Sequence, residues 1–185
     1  MKLVDCLKQV LDPNTCPSKQ SQELELVEEM EEKVMRVRIT GTGDLVWAMR
    51  IRTQDALKPM SLKGDCGLSC DYLIIVQSGG NDYVVFVEMK STWGRKTRNT
   101  GREQLRRSLP LWDYLCSVCK IECRIAPEVS VKYVLIAEKE NERFARRTTR
   151  KVSSSGAFIE EYRNIMVKTL IGNNFPVGRL VNDDA

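Results

Sequence analysis

Apolar and polar positions alternate with period two in parts of this chain and merge into continuous apolar runs in others, and the two patterns predict different kinds of strand. Met35, Val37 and Ile39 alternate with Arg36 and Arg38, and Trp47, Met49 and Ile51 alternate with Ala48, Arg50 and Arg52. This predicts two half-buried strands joined as a hairpin through Thr40-Gly41-Thr42-Gly43-Asp44, whose glycines supply positive φ. On that reading the arginines of both strands share one face, either as solvated surface or as a floor facing phosphate. Cys70 to Gln77 and Asp82 to Lys90 are instead near-continuous apolar runs rich in β-branched and aromatic residues. That composition belongs to strands buried on both faces. Gly79-Gly80 between them is a two-residue hairpin signal.

Helical periods follow. Thr100-Gly101-Arg102-Glu103 matches a capping box and predicts a helix from about that point, with Leu105, Leu109, Trp112, Cys116 and Cys119 on its inner stripe. Pro110 kinks or restarts it. A strand is expected from Val131 to Ala137, then a last helix from Ser154 or Ser155 carrying Phe158, Tyr162, Ile165, Met166, Thr169 and Leu170 and stopping at Gly172. Upstream, Glu23, Glu25, Glu28, Glu29, Glu31 and Glu32 contain no basic residue among them and predict a solvated helix face. With no internal repeat, the chain reads as one α/β domain over 1–185. Residues 1–44 are an N-terminal decoration with the acidic segment and first hairpin strand, 45–140 the core, and 141–185 a basic loop, helix and tail.

The length of 185 residues and the 42% apolar content agree with one domain. The net charge of +4 permits an anionic partner. Histidine is absent, which removes imidazole bases, His-containing triads and His-ligated zinc. Chemistry therefore falls to carboxylates, lysine or cysteine. There is no apolar run of leader length and none near the roughly 20 residues of a membrane span, so a soluble, cytoplasmic protein is expected. Seven cysteines, an odd number, point to reduced thiols rather than a disulfide framework. Cys66-x3-Cys70 followed by Cys116-x2-Cys119-x3-Cys123 is a spacing open to a four-thiolate metal site, against which stands the plainer reading that Cys116 and Cys119 fall at helical spacing and pack as small apolar groups.

The chemical signal lies on the glycine hairpin. If Ser78 faces Asn81 across Gly79-Gly80, counting back along both strands puts Asp71 opposite Glu88, on one face and with Cβ atoms roughly 5 Å apart. Lys90 shares that face. Two adjacent carboxylates repel, and their partial burial costs several kcal/mol unless compensated. A divalent cation compensates both. Mg²⁺ takes one or two carboxylates and keeps further positions for water and phosphate. Asp71 and Glu88 supply that pair, the Met89 carbonyl offers a further ligand, and Lys90 either orients or deprotonates the attacking water or neutralises phosphate charge. The plain alternative is a salt bridge at the strand ends.

Asp71, then Glu88-Met89-Lys90 on the next strand, then a helix carrying Gln104, resembles the PD-(D/E)XK nuclease superfamily over about residues 45 to 140. The resemblance implies a restriction-endonuclease-like αβββαβ core, a mixed central sheet flanked by helices. It also implies a nuclease, with Mg²⁺ (or Mn²⁺) on Asp71 and Glu88, Lys90 assisting the water and Gln104 in the catalytic set. DNA is the implied substrate, and a homodimer is compatible with the family. Nuclease sites of this type often borrow a carboxylate from an upstream helix, which brings the acidic run into play. Departures are Cys70 where proline is frequent, no Tyr four residues after Gln104, and Asp65 as a rival first acid. The iron-sulfur branch of the superfamily has cysteine spacings that differ from those here.

Arg95, Lys96, Arg98, Arg102, Arg106 and Arg107 set six cations against Glu103 alone around the expected metal corner, which suits phosphate. Arg143, Arg146, Arg147, Arg150 and Lys151 either extend that track or form a solvated loop. Trp93 either stacks on a base or covers the sheet edge. A non-catalytic nucleic-acid-binding or assembly module with the same fold is the competing expectation.

Overall fold

The computed structural model describes residues 3–10, 19–20, 23–30, 33–41, 45–51, 69–126, 128–140 and 157–182. Expectations on Glu31, Glu32, Asp65, Cys66, Ser154, Ser155 and the basic cluster from Arg143 to Lys151 lie outside those residues. In chain order the elements are α1 (Leu3–Val10), β1 (Lys19–Gln20), β2 (Glu23–Met30), β3 (Lys33–Thr40), β4 (Leu45–Arg50), β5 (Tyr72–Ser78), β6 (Asn81–Trp93), α2 (Arg95–Arg107) and α3 (Leu109–Glu122). They are followed by β7 (Ser130–Glu140), β8 (Ala157–Tyr162), β9 (Ile165–Ile171), β10 (Asn174–Pro176) and α4 (Gly178–Val181). The fold is mixed α/β.

Six strands make the central sheet, in the order β4-β5-β6-β7-β9-β8. The pairs β4/β5 and β5/β6 are antiparallel, β6/β7 and β7/β9 parallel, and β8 closes the edge antiparallel to β9. The expected hairpin forms: Gly79 and Gly80 take φ of +59° and +81°, the left-handed values that a two-residue turn needs, and Ser78 pairs with Asn81. Alternation then divides the sheet's two faces. Leu73, Ile75, Val84, Phe86 and Leu135 share a core with α1, α2 and α3, whereas Ile74, Val76, Val85, Val87 and Met89 share one with a second sheet. That sheet, ordered β1-β2-β3-β10, covers the face opposite the helices.

Four expectations are corrected here. The acidic run is strand β2, not a helix face, because Leu24 and Leu26 alternate inward while Glu23 and Glu25 face water opposite the arginines of β3. Arg36 pairs with Glu25 at 2.8 Å and Arg38 with Glu23 at 3.4 Å. Strands β3 and β4 do not form a hairpin with each other; β3 pairs with β2 and β4 with β5, in different sheets. The expected last helix is the β8–β9 hairpin. Arg163 and Asn164 turn it with φ of +45° and +71°, and Ile165 and Val167 are buried while Met166 between them is exposed. The helix expected from Thr100 begins at Arg95, where Thr97 accepts the Gly94 N–H at 3.0 Å as the cap. Pro110 does restart the helix: α2 ends at Arg107 and the proline sits in the first turn of α3.

The cysteines hold a fifth correction. Cys6 of α1 and Cys123 at the end of α3 form a disulfide across 117 residues of sequence, while Cys70, Cys116 and Cys119 are free. Leu3, Cys6 and Leu7 seat α1 on the helix-side core, which brings its thiol to the end of α3. Loss of the bridge should cost about 2–4 kcal/mol. Dithiothreitol is accordingly expected to lower the thermal midpoint of the wild type and leave that of Cys6→Ser unmoved; equal response of both proteins would show that the bridge is not formed in solution.

Candidate active site

The site is built where β5 begins. The β5/β6 ladder runs in the expected register from Ser78↔Asn81 to Tyr72↔Val87 and then slips by one residue: the Asp71 N–H donates to the Val87 carbonyl at 3.0 Å. The Asp71 side chain fills the place of the missing backbone partner, its Oδ2 accepting the Met89 N–H at 2.7 Å. A strand residue presents N–H and C=O to the same neighbour. The Met89 carbonyl therefore also faces the gap beyond the start of β5, as a ligand role would require. The Asp71 and Glu88 carboxyls lie close enough for each to act electrostatically on the other. Lys90 ion-pairs with Glu88 Oε1.

Three contacts fix the segment that carries Asp71. Ile51 N–H donates to the Asp71 carbonyl at 2.7 Å, Cys70 N–H donates to Ser108 Oγ at 2.9 Å, and Gln104 Nε2 donates to the Ser69 carbonyl at 3.4 Å. Ser108 Oγ in turn donates to the Gln104 carbonyl at 3.0 Å. Gln104 is thus a buttress of the strand start. Gly101 lets α2 lie directly over Glu88, since a Cβ there would stand 3.4 Å from Glu88 Cγ and 2.7 Å from Leu135 Cδ1.

Burial dominates the electrostatics. The Glu88 side chain is 0% exposed and Lys90 18%. Burial, then the Asp71 charge, pushes the Glu88 carboxyl far above its ordinary range. Burial also raises Asp71, against the opposing effects of the Met89 N–H and Lys90. Burial acts to lower Lys90, but Glu88, Asp71 and Glu28 outweigh it and raise its pKa. In this arrangement the neighbouring acids favour the ammonium form of Lys90. One oxygen, Glu88 Oε2, is buried without a hydrogen-bond partner.

The acidic run supplies a neighbour that the residue pattern did not single out. Glu28 of β2 is pushed up to about 7 by burial and then by Asp71, with Lys90 and Arg50 opposing, and its Oε2 is also buried without a partner. Its signal was available in the alternation Leu24, Leu26, Glu28, had the run been read as a strand. Among the described residues no three His, Cys, Asp or Glu side chains converge as a finished ligand set.

The six expected phosphate contacts separate. Arg95 and Lys96 are exposed on the first turn of α2. Arg98 lies over the Trp93 ring at 5.7 Å, and that ring is buried in the core, so it covers the sheet instead of offering a face to a base. Arg102 is 7% exposed, ion-paired with Glu160 and stacked over Tyr162 at 5.4 Å. Arg106 and Arg107 pair with Glu103 at 2.6 and 3.3 Å, where Tyr162 and Arg163 also converge.

No family model matches the chain, and neither a curated protein nor a solved structure matches it. No described helix is long and apolar enough to cross a membrane.

Two outcomes follow from this geometry. Ser108→Ala leaves the buried Cys70 N–H without its acceptor and should cost about 1–3 kcal/mol in a denaturant titration; a loss below a few tenths would show that the bridge does not hold the strand start. The Arg106 hydrogen bond lowers Glu103 from its ordinary 4.5 to about 2. Because the folded value lies below the unfolded one, this stabilisation is complete above about pH 4.5 and vanishes as pH falls through about 2. Glu103→Gln should be less stable than wild type at pH 6 and match it near pH 2; a gap independent of pH would contradict the assignment.

Proposed function

We propose that this chain is a divalent-cation-dependent nuclease in which Asp71 and Glu88 hold Mg²⁺, with Mn²⁺ able to substitute, and Lys90 serves the attacking water. The observation that carries the reading is Glu88: a carboxyl wholly out of water, under the influence of the Asp71 charge, with one oxygen left unpartnered. An apolar residue would fill that position at lower cost. The donor set is hard oxygen, which suits Mg²⁺ or Mn²⁺. The order α1, β4, β5, β6, α2, β7 also supports the restriction-endonuclease-like reading, because antiparallel β4-β5-β6 is followed by a helical crossover to parallel β7.

A bound cation supplies Lewis acidity toward a phosphodiester oxygen and lowers the pKa of water. The chain's own groups do the rest. The Met89 N–H fixes the direction of Asp71 Oδ2, and Gln104 and Ser108 hold the backbone before it. Lys90, as an ammonium, donates hydrogen bonds to the incoming water or to a phosphoryl oxygen and offsets charge that grows there. Arg95 and Lys96 lie just past the end of β6, placed to attract the nucleic-acid backbone; DNA is the favoured substrate through the superfamily resemblance. The Lys90–Glu88 ion pair favours a second reading, a nucleic-acid-binding module without turnover.

Incubation with supercoiled plasmid and with single strands, in Mg²⁺, Mn²⁺ or EDTA, separates the two. Cleavage that requires the cation is expected, with Asp71→Asn and Glu88→Ala inactive and Lys90→Ala slowed about 10²–10⁴-fold. Binding without cleavage would support the module, and equal cleavage by Glu88→Ala and wild type would remove the mechanism.

A further inference from the structure

Glu28 is the acid at this corner that the chemistry above leaves unused. It continues the inward row of β2 after Leu24 and Leu26, both buried, at a position where a third apolar side chain would suit the core. Instead it carries a carboxylate whose Oε2 is buried and unpartnered. Its placement has a specific cause. Strand β1 covers β2 only at Glu23 and Leu24, and further along, the Tyr72 hydroxyl takes over as the neighbour of β2. It accepts the Val27 N–H at 2.9 Å and donates to the Val27 carbonyl at 2.8 Å. Tyr72 directly follows Asp71, so this bracket on Val27 ties the height of Glu28 to the residue beside the first metal carboxylate.

We propose that Glu28 is an outer-sphere carboxylate of the cation centre, aimed into it from the second sheet and registered there by the Tyr72 hydroxyl, with Asp71 and Glu88 as the direct ligands. The inference rests on reading that centre as a cation site. An outer-sphere role follows from two observations taken together. The described acids do not converge as a three-membered ligand set, yet the Tyr72 hydroxyl on Val27 sets Glu28, with its buried and unpartnered Oε2, beside the strand start that carries Asp71, where the Asp71 and Lys90 charges act on it. Such a group adds attraction for a dication and orients what surrounds it, and removing one typically weakens metal affinity 10–100-fold. Tyr72 is then a positioning residue, acting through Glu28.

The test uses the full chain at pH 8, with Mn²⁺ affinity measured by calorimetry and thermal midpoints measured in EDTA. Glu28→Gln should bind Mn²⁺ about 10–100-fold more weakly, while its midpoint in EDTA equals or exceeds that of wild type, because a carboxylate facing like charges has been neutralised. Glu28→Leu, which completes the apolar row, should show the same loss of affinity if the glutamine variant folds poorly. Tyr72→Phe should weaken binding several-fold alone and add nothing to Glu28→Gln, whereas a merely structural tyrosine would give additive losses. Glu29→Gln, on the exposed neighbour, should bind as wild type. Unchanged affinity in Glu28→Gln, with binding lost in Glu88→Gln, would overturn this inference and leave the cation site standing. A wild-type protein that binds no Mn²⁺ would refute the site itself.

Discussion

A carboxylate shut away from water beneath a helix is the constraint on which this structure turns. Glu88 lies on a central strand, covered by α2 through the absence of a side chain at Gly101, with Asp71 against it and a single ammonium on one of its two oxygens. Desolvation of an ionised group costs several kcal/mol even after relaxation. One lysine does not offset two or three neighbouring acids. Protons or a bound cation would relieve that charge, and the oxygen donors with the unpartnered Oε2 are the basis for proposing the cation.

The three layers each contribute a part of that constraint. The central sheet supplies Asp71, Glu88 and Lys90 at the start of β5, where the ladder with β6 slips by one residue at Asp71. The helix layer fixes the approach to Asp71: Ser108, at the junction where Pro110 forces a new helix, binds the Cys70 N–H, and Gln104 binds the Ser69 carbonyl. The second sheet closes the opposite face with Leu24, Leu26, Met35, Val37 and Ile39, and brings Glu28 to the same end of the molecule. Packing and electrostatics are coupled here, because the apolar rows that stack the layers also determine which carboxylates meet.

The hairpin was legible in the sequence, because Gly79-Gly80 admits one tight turn and the strands on either side are apolar throughout; those facts set the register as far as Tyr72 and Val87, but not the one-residue slip that pairs the Asp71 N–H with the Val87 carbonyl. The helical restart at Pro110 was legible for an equally local reason. What misled was composition read in place of period. The glutamates of 23–29 suggested a helix, although Leu24 and Leu26 alternate as a strand, and the arginines that neutralise them sit on β3, which no single-segment reading pairs with β2. Short apolar stretches such as 157–171 fit either period, and only the left-handed Arg163-Asn164 turn decides between them. Neither the Arg102–Glu160 and Arg163–Glu103 pairs nor the Cys6–Cys123 bridge leaves a local trace, since each joins segments far apart in the chain.

Anomalous diffraction from crystals soaked in Mn²⁺ tests the central claim most directly. The account predicts a peak in contact with Asp71 and Glu88, with the Lys90 ammonium moved off Glu88. Saturating Mn²⁺ that leaves no peak at that corner, with Lys90 and Glu88 still paired, would contradict it.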